Sequence, residues 1–272
     1  MQPASKNPRR KSSEPLTIGI LGGMGPEATN RLCTLITAAT PARRDQDHVP
    51  VITYNNPGIP DRVRGVYGGG ESPVPELVRT ARVLEDAGAD VLVMPCNLAH
   101  FFIAEIQSAV RVPVLDIIEE TVRFAVESHP LCRGAGLLAS TPTIRCRLFD
   151  APFRKHGVEV VVPDYEEQET KVMRAIYGPE GIKSGRKEGP RALLRDAARG
   201  LAVAGADIVI AGCTEIPLVL SQADVSVPVV DPLEVIAGVA VQLALSGTTP
   251  GRAGELEGIA VKSTAGKDDG VG

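Results

Sequence analysis

One segment of the chain occurs twice. Gly88-Ala89-Asp90-Val91-Leu92-Val93-Met94-Pro95-Cys96-Asn97 aligns without a gap on Gly205-Ala206-Asp207-Ile208-Val209-Ile210-Ala211-Gly212-Cys213-Thr214. In each copy Gly-Ala-Asp opens a short apolar run, and a cysteine follows the aspartate by six positions. The echo is wider than this motif. Ile18-Gly19-Ile20-Leu21 answers Ala135-Gly136-Leu137-Leu138, and the glycine-to-cysteine interval is 77 residues in both copies. Val112-Pro113-Val114-Leu115-Asp116 answers Val227-Pro228-Val229-Val230-Asp231. A duplicated unit that ends in a thiol predicts two similar lobes, each presenting one cysteine to a shared cleft.

The spacing of apolar residues defines the class of fold. Short β-branched runs at 17–21, 49–54, 91–94, 112–115, 136–139, 158–162, 208–211 and 227–230 read as strands buried on both faces of a parallel sheet. Helical periodicity separates them. Over 76–87, Leu77, Val78, Ala81 and Leu84 share a face, with Gly88 placed for a left-handed cap. Over 191–204, Leu194, Ala197, Ala198 and Leu201 repeat the pattern, with Pro190 before and Gly205 after. Alternating strands and helices predict an α/β protein whose ligand sits off the carboxyl ends of parallel strands. Cys96 and Cys213 fall one or two residues past such ends.

Composition narrows the function. Only 3% of residues are aromatic and tryptophan is absent, so stacking on bases or sugars is disfavoured. A net charge of −4 argues against a nucleic-acid partner. No apolar stretch approaches the roughly 20 residues of a membrane span. The polar, basic start 1–15 reads as a disordered extension and 247–272 as a flexible tail. Five cysteines, an odd number, favour a reducing, cytoplasmic setting. Their spacing, and that of the four histidines, matches no metal site.

Three motifs carry chemistry. After the first strand, Gly22-Gly23-Met24-Gly25-Pro26 has two readings, a plain strand-to-helix turn or a helix start that holds a small anion, and the loop alone favours the plain turn. It lacks the lysine of a phosphate loop and the spacing of a dinucleotide fingerprint. Met94-Pro95-Cys96-Asn97-Leu98-Ala99-His100 and Gly212-Cys213-Thr214-Glu215 each set a thiol before a hydrogen-bonding side chain. A helix start there would draw a thiol pKa from about 8.5 toward neutrality. Two opposed thiols can take a proton from one side of a carbon and return one to the other. Stereoinversion without a cofactor requires that. Cys33, Cys132 and Cys146 lack matching partners and read as packing residues. His100 has two readings, a tuner of the Cys96 thiol or a structural histidine.

These motifs closely resemble the aspartate/glutamate racemase superfamily, and its aspartate racemase branch in particular. The resemblance runs from about residue 17 to 245 and includes Asn55-Asn56-Pro57, Ile59-Pro60-Asp61-Arg62 and Met173-Arg174-Ala175-Ile176-Tyr177. It implies two flavodoxin-like lobes related by a pseudo-two-fold axis, with the active site between them. Lobe 1 would comprise 16–114 with 227–246, and lobe 2 would comprise 115–226. It implies a cofactor-independent racemase of aspartate in which Cys96 and Cys213 exchange the roles of thiolate base and thiol acid. Arg62 and Lys183 would hold the distal carboxylate. Asn97, Thr214 and the glycine loop, with Met24 and Gly25, would hold the α-carboxylate and amine, and Asn56, Leu98 and Glu215 complete the expected contacts. A homodimer is also implied.

The chain departs from the family pattern at Leu98, where a threonine hydroxyl normally helps grip the α-carboxylate. Losing a hydrogen bond to a charged group costs about 1.5–3 kcal/mol. The segment Gly178-Pro179-Glu180-Gly181 ahead of Lys183 is also longer than usual. Racemisation of glutamate or another amino acid, isomerisation or decarboxylation of small diacids, and a non-catalytic binding protein stay open as alternatives, the last ranked lowest.

Overall fold

The computed structural model describes residues 14–248, so the expected extension 1–15 and tail 247–272 lie outside the described residues apart from two positions each. The first half runs β1 (Ile18–Gly22), α1 (Pro26–Ala39), β2 (Val51–Asn55), α2 (Arg62–Val66), α3 (Val74–Asp86), β3 (Val91–Val93), α4 (Ile103–Ala109) and α5 (Ile117–Ser128). The second begins β4 (Gly134–Leu138), α6 (Thr141–Arg145), α7 (Asp150–Lys155), β5 (Glu159–Val161), α8 (Tyr165–Glu167) and α9 (Arg174–Tyr177). It ends α10 (Glu188–Val203), β6 (Ile208–Ala211), β7 (Val229–Val230) and α11 (Pro232–Ser246).

The halves build two parallel sheets of one topology. The first is ordered β2-β1-β3, and Val114 bridges Leu92 in the fourth place. The second is ordered β5-β4-β6-β7. The fourth strand is shorter than expected in both copies, a single bridge at Val114 and two residues in β7. Pro113 and Pro228 accept from the Leu92 and Val209 amides at 2.8 Å but have no amide of their own to extend the ladder.

The repeated Gly-Ala-Asp has a structural reason at each position. Gly88 and Gly205 take φ of 101° and 97°, the left-handed turn that ends α3 and α10. The next residues close those turns, Ala89 N–H donating to Leu84 O and Ala206 N–H to Leu201 O, both at 3.0 Å. Each alanine then lies against the glycine of the central strand. A methyl at Gly19 would stand 2.7 Å from the Ala89 Cβ, and one at Gly136 2.9 Å from the Ala206 Cβ. The aspartates tie the start of the central strand. Asp90 Oδ2 accepts from Thr17 N–H at 2.9 Å, while Asp207 Oδ2 accepts from Arg133 and Gly134 N–H at 2.7 and 3.0 Å.

Side-chain alternation along the strands divides the core. Ile18, Ile20, Ala135, Leu137, Ile208 and Ile210 face one continuous apolar centre shared by both sheets. The opposite faces pack outward, Leu21 and Leu92 on α3 and Leu138, Val209 and Ala211 on α10. β1, β3, β4 and β6 are buried on both faces as expected, whereas the edge strands β2 and β5 are partly exposed. An edge has a neighbour on one side only.

Each half also sends its last helix to the other. α5 packs on α7, and α11 packs on α1 and α5, with Leu16 N–H donating to Ala244 O at 2.9 Å. The segment 227–246, expected in lobe 1, therefore divides. β7 pairs with β6 in the second sheet, and only α11 crosses to the first half. The ends of these helices are matched. Asp116 caps α5 by accepting from Ile118 N–H at 2.8 Å, and Asp231 caps α11 by accepting from Leu233 N–H at 2.9 Å. Lys155 pairs with Glu119 at 3.0 Å, and Arg31 with Glu234 at 3.2 Å and with Asp231 at 2.5 Å.

Candidate active site

The carboxyl ends of β3 and β6 meet at a small cavity between the halves. Cys96 and Cys213 both line it. β3 ends at Val93, so Cys96 stands three residues beyond it, after a tight turn in which Cys96 N–H donates to Met94 O at 2.8 Å. Cys213 stands two residues beyond β6. Met24, Asp61, Arg62, Asn97 and Leu98 complete the wall on one side, and Ser140, Thr143, Tyr177, Gly212, Thr214 and Glu215 on the other. The space inside is about 20 Å³, little more than one water occupies.

On the Cys96 side the chain enters a 3-10 turn, Asn97–Phe102. Asn97 is 2% exposed, and neither its amide nitrogen nor its carbonyl oxygen has a protein partner. A buried polar group left unpaired costs about 1–3 kcal/mol, so a polar ligand in the cavity would relieve it. Leu98 lines the same wall and packs with Met24 in the apolar cluster. His100 is structural. Its Nδ1 lies 2.9 Å from the Cys96 carbonyl, which can only accept, while Nε2 accepts from Ile117 N–H at 3.3 Å. That ring pins the 3-10 turn to the start of α5.

The Cys213 side is built around a carboxylate. Cys213 S–H donates to Glu215 Oε2 at 3.0 Å, and the Thr214 hydroxyl donates across the cleft to Pro95 O at 3.2 Å. Lys183 Nζ stands 2.5 Å from Glu215 Oε1 and 5.5 Å from the centre of the Tyr177 ring. Burial pushes the Cys213 thiol well above its ordinary range; Glu215 adds to this and Lys183 opposes it. A thiol drawn toward neutrality by a helix start, as expected from the sequence, is overturned here, because enclosure and a neighbouring anion outweigh the backbone. For Lys183 burial acts downward, but Glu215 and the thiols outweigh it and hold the ammonium above its ordinary value.

The remaining expected residues divide. Arg62 opens α2, where Asp61 caps the turn by accepting from Arg64 N–H at 2.9 Å. Its Nη1 donates to Ile59 O and Pro60 O at 3.1 and 3.0 Å, and its buried Nε has no protein partner. Met24 lines the cavity, and Gly25 at the start of α1 faces the ion pair, since a methyl there would stand 3.1 Å from Glu215 Oε1. Asn56 does not reach the site. Its Nδ2 donates to Thr80 Oγ1 and Glu76 Oε2 at 3.0 and 3.2 Å, and its Oδ1 accepts from Gly58 N–H at 3.0 Å. Those partners hold it to α3 and its own loop.

Sequence reasoning passed over Ser140 and Thr143, whose hydroxyls lie 2.9 Å apart in the wall. The signal was present. The offset of 117 that carries Gly19 to Gly136 also carries Gly23 to Ser140 and Pro26 to Thr143, so they are the second copy of the glycine loop. Cys33, Cys132 and Cys146 lie away from the cavity lining. Among the described residues, no three or more His, Cys, Asp or Glu side chains cluster to hold a metal, and no helix is long and apolar enough to cross a membrane.

The chain is similar to known proteins across this whole arrangement. The broad specificity amino-acid racemase RacX of Bacillus subtilis is 29% identical over 219 residues, which are 79% of this chain and 92% of that protein. The aspartate racemase of Picrophilus torridus has a TM-score of 0.74 at 28% identity, over 84% of this chain and 94% of that one. An aspartate racemase homologue from Pyrococcus horikoshii OT3 has a TM-score of 0.67 at 26% identity, over 84% and 98%. The model of the Asp/Glu/Hydantoin racemase family matches residues 21–240, a span that holds both cleft cysteines and every strand but the start of β1. With two like halves and a thiol from each at their junction, the chain belongs to the Asp/Glu/Hydantoin racemase family.

Proposed function

We propose that this protein interconverts the L and D forms of amino acids, with aspartate as the leading substrate, by a two-thiol mechanism that needs no pyridoxal phosphate. One observation carries the reading: equivalent positions of a duplicated fold bring Cys96 and Cys213 into the wall of one cavity. One thiolate removes the α-proton, and the opposite thiol returns a proton to the other face. The pair thus shares one proton, and its rate follows a bell-shaped pH profile.

Fixed donors around the α-carboxylate lower the cost of the carbanion. Asn97, with its unpartnered buried amide, and the Thr214 hydroxyl supply them in this reading. Arg62 and Lys183 take the distal carboxylate. The five free cysteines suit a cytoplasmic setting, and the reading includes a homodimer.

A second substrate reading is favoured by two observations. Leu98 replaces a donor with an apolar wall, and Glu215 already neutralises Lys183. The first reshapes the wall that meets the α-carboxylate and the second loosens the demand for a distal carboxylate, in line with the broad specificity named for RacX. Purified protein incubated with L-aspartate, and then with L-alanine, in D2O tests both. Deuterium at the α-carbon with formation of the D enantiomer, read by NMR and chiral chromatography, supports racemisation. Turnover of maleate or malonates with no exchange into any amino acid would replace it with diacid chemistry, and saturable binding without exchange with a sensor.

A further inference from the structure

We propose that Glu215 is the positioning residue of Cys213, holding the thiol proton in place in the empty enzyme, so that Cys213 is the acid and Cys96 the base of the first turnover. This rests on the two-thiol reading. The duplication makes the asymmetry visible: the residue two after Cys96 is Leu98, and the residue two after Cys213 is Glu215. One thiol therefore has an apolar neighbour where its counterpart has a carboxylate. Glu215 Oε2 accepts from Cys213 S–H at 3.0 Å, a contact that requires a proton on the sulfur. The carboxylate cannot swing away. Its other oxygen is tied to Lys183 at 2.5 Å, and the side chain is 6% exposed.

The charged and titratable groups facing Cys213 are few. Its own loop supplies Glu215. Lys183 and Tyr177 come from the preceding elements, and Cys96, Asp61 and Arg62 from the opposite half. The nearer cation, Lys183, is paired with Glu215 itself, so the anion prevails and burial acts in the same direction. Cys96 thiolate takes the α-proton and becomes a thiol, while the electron pair left on carbon takes the proton of Cys213 and leaves that sulfur a thiolate. Exchange with water, or the reverse reaction, restores the starting form.

Alkylation by iodoacetamide across pH, with each cysteine peptide quantified by mass spectrometry, tests this without relying on turnover. In the wild type, Cys96 should react at lower pH than Cys213. Glu215→Gln removes the charge and offers an amide donor to the thiolate, so Cys213 should react about tenfold faster at pH 8 with Cys96 within about twofold. Glu215→Asp should restore the wild-type order. Lys183→Met should slow Cys213, because it leaves the Glu215 charge unopposed. The opposite signs separate an electrostatic role from general loosening, and Lys183→Met remains informative if circular dichroism shows Glu215→Gln unfolded. An unchanged Cys213 profile in either folded variant overturns the assignment. Loss of inversion in the D2O assay with the alkylation order intact would instead sink the two-thiol reading.

Discussion

The two copies of the repeated unit agree in their scaffold and diverge in their chemistry. At the Gly-Ala-Asp end they are near-replicas: left-handed Gly88 and Gly205, Ala89 and Ala206 against the central glycines, Asp90 and Asp207 on strand-start amides. At the cysteine end the first copy offers Asn97 with an unpartnered amide and an apolar Leu98. The second offers Thr214 tied across the cleft and Glu215 bound to the thiol. Backbone turns and close packing admit few solutions, so duplication preserves them. The flanking residues escape those backbone constraints, and there the copies differ.

The largest expected effect falls where the copies share chemistry. Cys96→Ser and Cys213→Ser should each lower inversion by at least about 10³-fold, measured as D-enantiomer formed from the L form. Near-normal turnover by either would break the equivalence of the two thiols.

The helix exchanges should respond unequally. Arg31 holds the buried Asp231, whereas Lys155 and Glu119 are both exposed. Arg31→Ala should cost about 3 kcal/mol at pH 7 in urea denaturation, and Lys155→Ala at most about 0.5 kcal/mol. Burial raises the Asp231 carboxyl to about 6 even with Arg31 beside it. A carboxyl raised on folding holds its proton longer in the folded chain, so its contribution to stability falls as pH rises from about 4 to about 6. Removing Arg31 pushes the carboxyl higher still. The destabilisation in Arg31→Ala should therefore be small near pH 4 and grow toward pH 7; a deficit independent of pH would remove Asp231 as its cause.

Gly19→Ala and Gly136→Ala probe the shared close approach, each expected to cost about 1–3 kcal/mol by overpacking. The first should cost more. Its added methyl meets two carbons at 2.7 Å, against 2.9 and 3.1 Å for the second. The aspartate ties should respond less than the glycines. Asp90 is buried and Asp207 exposed, so Asp90→Ala should cost about 1–2 kcal/mol. The Asp207 variant should cost less, with faster amide exchange confined to Arg133 and Gly134.

Much of the fold was legible because duplication marks equivalent positions. The two like halves, the glycine caps and the convergence of two thiols all follow from Gly19, Gly136 and the Gly-Ala-Asp…Cys copies. Strand ends were less legible. Met94 leaves β3 for a tight turn into Cys96, and Pro113 cuts its strand to one bridge, outcomes set by hydrogen-bond partners rather than apolar character. In the site, Asn97 and Thr214 line the cavity, whereas Asn56 is drawn away by Glu76 and Thr80, 20 and 24 residues along the chain. The segment 227–246 could not be divided from the sequence, because its strand and its helix satisfy different halves.

The sequence by itself determined two halves of one design and a cysteine at the same point in each, since helix stops, close-packed glycines and strand ties are local requirements. Tertiary structure decided how those cysteines differ. The Lys183–Glu215 pair joins residues 32 apart, and the Thr214–Pro95 contact residues 119 apart. Charge and burial at a thiol depend on what packing brings beside it, and no local pattern records that.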